Sequence, residues 1–79
     1  MPTFGKVTAC ASPAVWLVEG YSGEGQEQSL DRTVFACEKH LATAEAGWLR
    51  GLEPHTQRAT GLNWCGQFTD YNPETGVDL

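Results

Sequence analysis

Hydrophobic positions along this chain change their spacing at Cys37, from the alternation of strands to the three-and-four spacing of a helix. Before that point, Ala14–Val18 is β-branched and aromatic and reads as the clearest strand, with Trp16 and Val18 on one face and Val15 and Leu17 on the other. Leu30–Ala36 is predicted as its partner, Leu30, Val34 and Ala36 alternating with Asp31, Thr33 and Phe35. Residues 19–29 carry three Gly among polar side chains and read as a long exposed connection, so the pair forms a hairpin. Thr3–Thr8 is predicted as a short edge strand, with Phe4 its one large apolar residue. Cys10–Pro13 is predicted as a turn, because Pro13 fixes its own φ and biases Ser12 towards extended geometry.

After Cys37 the spacing predicts a helix from about Glu38 to Arg50, with Leu41, Ala44, Trp48 and Leu52 as its apolar stripe. Glu38 near the start and Arg50 near the end suit the helix dipole, and Gly51 supplies a C-terminal stop. Gly47 weakens the helix by about 1 kcal/mol relative to Ala. Pro54 forbids continuation, and His55 beside it is expected in an exposed polar turn. Thr56–Thr60 returns to a polar, strand-like pattern. Gly61 then turns the chain into Leu62–Cys65, where Leu62 and Trp64 are expected to rejoin the core. The fold class is α+β: a small β-hairpin or short antiparallel sheet packed on one central helix, with a returning C-terminal strand. Residues 1–71 read as a single small domain, and Asn72–Leu79 as a short acidic tail expected to be flexible.

Composition narrows what such a domain does. Five basic residues stand against ten acidic ones, a formal net charge of −5. With no Lys/Arg stripe, nucleic acid and anionic membrane surfaces are both poor partners. No apolar run reaches the roughly 18–20 residues that span a bilayer. The first residues also lack a basic segment followed by an apolar one, so a cytoplasmic location is expected. Disulfides are rare there, and three cysteines leave one unpaired in any monomeric scheme. Three Trp, three Phe and two Tyr argue for a packed chain. A domain of 79 residues still rarely draws more than about 3–5 kcal/mol from its core, so some staple is expected.

The candidate staple is the set Cys10, Cys37, His40 and Cys65, a Cys₃His inventory of the kind that closes a tetrahedral zinc site. Cys37 and His40 stand three apart, on one side of the predicted helix and directly above its apolar stripe. His55 is the other side chain able to stand in for one of the four. Two other readings stay open. Three buried thiols and a satisfied core histidine need no metal. Alternatively, Cys37 at a helix start is a nucleophile with His40 as its base, although no third orienting group is evident.

The run of Cys10, Pro13-Ala-Val, a hairpin, then Phe35-Ala-Cys37 and His40-Leu resembles a recurring pattern in small actinobacterial proteins, a zinc-ribbon or treble-clef-like knuckle. The likeness covers roughly residues 10–50 and departs in having a single cysteine in its first half. It implies a small Zn²⁺-binding domain of regulatory or interaction type. The expected function is thus a non-catalytic, metal-stabilised protein-interaction or regulatory module whose partner is another protein or a second copy in a homodimer. The alternatives are a thiol enzyme or redox sensor using Cys37 with His40, and a metal-free structural subunit stabilised by oligomerisation. Residues 19–29 and the tail are the surfaces expected to make contact, while Trp64, Phe68 and Tyr71 are surplus aromatics suited to a homodimer.

Overall fold

Residues 3–23 and 25–71 are described in the computed structural model of the chain, and β3 (Ser29–Ala36) is the strand that organises them. It lies in the middle of a five-stranded antiparallel sheet of order β1-β5-β3-β2-β4, with β1 at Thr3–Lys6, β2 at Trp16–Ser22, β4 at Glu53–Arg58 and β5 at Gln67–Asp70. A middle strand has a hydrogen-bonded neighbour along each edge, so its residues are screened from solvent from both sides. Accordingly Asp31, Arg32, Thr33 and Val34 are all buried in succession. Asp31 is the extra residue of a bulge, since Gly20 pairs with Arg32 while Tyr21 pairs with Leu30. The architecture is mostly sheet with one short helix, so the sheet rather than a central helix carries the fold.

The helical segment, α1, spans residues 38–48 and is composite: a 3₁₀ turn at Glu38–His40, an α turn at Leu41–Thr43 and a π turn at Ala44–Trp48. Leu49, eight residues beyond Leu41 and so at the edge of the same stripe, is 1 % exposed and joins Val18, Val34, Ala36 and Ala44 in the core. Leu41, Trp48 and Leu52 pack against that cluster, as the stripe requires. The stop at Gly51 is present, with φ of 90° there and 58° at Arg50.

β2 begins at Trp16 and runs on through Glu19, Gly20, Tyr21 and Ser22, so the connection predicted over residues 19–29 is much shorter. Gly20 misled because its role is close approach rather than turning. A Cβ there would meet Leu52 Cδ1 at 2.9 Å and Leu49 Cδ2 at 3.0 Å, which is how α1 settles onto the sheet. His55 likewise lies in a strand, opposite Glu19 on the edge strand β4, where Pro54 is tolerated. Leu62 and Trp64 remain exposed, at 77 % and 41 %, and the C-terminal return is made by β5 instead. Phe68 of β5 packs against the core, and Asp70 is buried against Arg32, Nη1 to Oδ2 3.1 Å. The Arg32 guanidinium also lies 4.4 Å from the Phe68 ring centroid.

Register places Trp16, Val18, Gly20, Val34, Ala36 and Phe68 on the α1 side. Phe4, Leu17, Glu19, Thr33, Phe35 and Thr69 fall on the opposite, outer face. Among the described residues no helix is long and apolar enough to cross a membrane. The tail over 72–79 lies outside the described residues. Gly20→Val is expected to lower stability by about 1–3 kcal/mol through overpacking against Leu49 and Leu52. Leu62→Ala should stay within about 0.5 kcal/mol of the parent, since that side chain is exposed. Urea midpoints of the two variants check this, and an unchanged Gly20→Val midpoint would contradict the packing described.

Candidate metal centre

Three separate segments carry donor atoms to one point beside the start of α1. Cys37 leaves β3 in extended geometry, φ −81° and ψ 171°, and caps the first helical turn. Its carbonyl accepts the His40 backbone N–H at 3.1 Å, which closes that turn and swings the imidazole back over the thiol. His40 Nδ1 then lies 3.3 Å from Cys37 Sγ and 3.4 Å from Cys65 Sγ. Trp48, one stripe position along the same segment, backs the ring at a centroid distance of 5.6 Å.

Cys10 and Cys65 reach the site on two loops zipped together by backbone hydrogen bonds. Val7 N–H donates to the Gly66 carbonyl at 2.9 Å, Cys65 N–H to Ser12 O at 2.9 Å, and Ala14 N–H to Asn63 O at 2.8 Å. Gly66, with φ of 91°, lets the second loop turn, and its N–H donates to Phe35 O at 2.7 Å, tying the loop to β3 just ahead of Cys37. The Cys10 loop is further held by Lys6 Nζ on the Cys10 carbonyl at 2.8 Å and by Cys10 N–H on Thr8 Oγ1 at 3.3 Å.

The result is that Cys10 Sγ, Cys37 Sγ, His40 and Cys65 Sγ present one donor atom each, all within 4.8 Å of one another. Four donors about 2.0–2.3 Å from a tetrahedral Zn²⁺ stand roughly 3.4–3.8 Å apart. The two sulfur–nitrogen distances above, 3.3 and 3.4 Å, fall just below and at the lower bound of that range. Three thiols and an imidazole are thus positioned to bind a metal ion such as zinc. Cys37 and Cys65 are buried, while Cys10 is partly open to solvent.

The thiols differ in acidity. Hydrogen bonds from the Ser12 backbone and hydroxyl bring Cys10 down from its usual 9.0 to about 6. Burial pushes Cys65 up to about 11. Cys10 is therefore a thiolate at neutral pH, whereas Cys65 holds its proton until a cation displaces it.

All four sequence-derived candidates are brought together. His55 is not among them: on β4 its Nε2 lies 2.8 Å from Glu53 Oε2 and its ring packs 4.6 Å from Tyr21. Ser12, which sets the Cys10 thiol, was not anticipated; its place beside Pro13 in the Cys10 turn was the available signal. Cys37 does stand at a helix start with His40 in reach, but that nitrogen is shared with Cys65. No family model, curated protein sequence or solved structure matches this chain.

Since the bound form requires thiolates, binding must release the Cys65 proton at every pH below about 11. Metal affinity should therefore rise at least tenfold per pH unit between pH 6.5 and 8. Below about 6 the slope should steepen as Cys10 protonates. Competition titrations against a chelator of known pH dependence check this, and an affinity flat across neutral pH would contradict it.

Proposed function

We propose that this chain is a small, non-catalytic module that holds one Zn²⁺ through Cys10, Cys37, His40 and Cys65 and acts by binding another protein. The observation that carries the metal half is the convergence of four donors from three segments within 4.8 Å. Four protein ligands form a closed set, the arrangement of structural rather than catalytic zinc, which keeps one position for water or substrate. Support also comes from position: Cys37 and His40 follow a hairpin at the start of a helix, as in the zinc-ribbon or treble-clef-like proteins the sequence resembles. Cys65, arriving from beyond β4, supplies the ligand that the single cysteine of the first half leaves wanting.

The binding half rests on surface chemistry. Phe4 is 72 % exposed on the outer sheet face, beside an open groove that Phe35, Gln67 and Thr69 help to line. The net charge of −5 favours a partner with a basic surface. A second copy is the competing occupant.

Protein purified without added metal should carry about one equivalent of zinc, and a strong chelator should remove it with loss of tertiary structure. Structural zinc in small domains contributes of order 10 kcal/mol to folding, so the loss should be plain by near-UV circular dichroism. Under a tenth of an equivalent, with a thermal transition indifferent to chelator, would overturn the metal half. For the binding half, the loaded protein should sediment as a monomer across concentrations and retain a specific partner that Phe4→Glu releases while staying folded. Self-association, or retention equal in both forms, would count against it.

A further inference from the structure

We infer that the metal centre is an oxidant-gated latch, in which a hydroperoxide links Cys10 to Cys65 as a disulfide and thereby expels the metal. The inference rests on the metal reading above and adds how that site is released. Accessibility selects the first sulfur: Cys10 is partly exposed, while Cys65 is 0 % and Cys37 8 % exposed. Backbone pairing selects the second. The Cys10 and Cys65 loops are joined on both sides of the sulfurs, by Val7 on Gly66 towards one end and by Cys65 on Ser12 and Ala14 on Asn63 towards the other. Across this zipper the two sulfurs already lie within 4.8 Å of each other. Cys37 is held differently, by the end of β3 and the first turn of α1, outside the zipped loops.

The chemistry balances with hydrogen peroxide as the oxidant. Cys10 thiolate attacks one peroxide oxygen, the O–O bond breaks, and hydroxide leaves, giving the Cys10 sulfenic acid. Cys65 thiolate then attacks that sulfur, forming the S–S bond and expelling a second hydroxide. The two sulfurs have given up two electrons and the peroxide has taken them. Cys37 and His40 alone remain to the metal, half of a closed set. A thiol reductant reverses the sequence by exchange, returning both thiolates and the site.

The test uses the intact chain loaded with zinc and treated with graded hydrogen peroxide. Released zinc is read with a metallochromic dye, and linked peptides by mass spectrometry. Trypsin puts each cysteine in its own peptide, residues 7–32, 33–39 and 59–79. The expected result is release of about one equivalent in step with a link between the Cys10 and Cys65 peptides, undone by dithiothreitol together with metal rebinding. Cys10→Ser, if it still binds zinc, should lose peroxide-driven release. If that variant does not fold, the peptide map of the parent decides. Zinc retained at saturating peroxide, or release with Cys37 in the link or with sulfinic acid alone, overturns the latch and leaves the metal reading intact. A reduced chain that takes up no zinc overturns the metal reading and the latch with it.

Discussion

The convergence of Cys10, Cys37, His40 and Cys65 is the constraint around which the remaining structure is arranged, because it is where the β3–α1 corner and both loops meet through side chains. The buried apolar cluster consists of Val18, Val34, Ala36, Ala44 and Leu49, one small layer between sheet and α1. Such a layer holds the helical segment down and reaches the loops at 7–14 and 59–66 through Val7. Those loops meet each other through backbone hydrogen bonds, and meet the rest of the fold through Ala59 N–H on the Val15 carbonyl, Gly66 N–H on the Phe35 carbonyl and the donor cluster. An ion there would join the β3–α1 corner to both loops at one point. A domain of this size needs that kind of reinforcement.

A second constraint fixes the C-terminal return. Asp70 lies buried against Arg32 in the middle strand, with Arg50 Nη1 3.6 Å from the same carboxylate oxygen. Burial lowers the Arg32 pKa while Asp70 works to keep the guanidinium charged. Removing Asp70 would take away the carboxylate that offsets the buried Arg32 charge, which costs far more than losing a surface pair. The pair keeps β5 in register on β3. That register in turn presents the Cys65 loop, just ahead of β5, to His40.

Local features were legible in the sequence and non-local ones were not. The three-residue step from Cys37 to His40 needs only a helical turn to bring sulfur and nitrogen together, and it does so at 3.3 Å. Cys10 and Cys65 were found as donors by inventory, but their meeting depends on pairing between loops some fifty residues apart, which no local pattern encodes. Gly20 was misread as a loop signal because a glycine needed for helix–sheet contact looks the same in sequence as one needed for a turn. Leu49 was left out of the predicted stripe although its spacing of eight from Leu41 places it at the stripe's edge, where the structure buries it. The buried Arg32–Asp70 pair was not anticipated, since only the strand order shows that β3 is the middle strand.

Coordination is the central claim, and X-ray absorption at the zinc edge examines it without depending on stability or activity. The account requires three sulfur scatterers at about 2.3 Å and one nitrogen at about 2.0–2.1 Å, with imidazole multiple scattering from His40. Cys65→Ser should remove one sulfur from that shell and leave the imidazole. A shell dominated by oxygen, or one whose sulfur count is unchanged by that substitution, would contradict the site described.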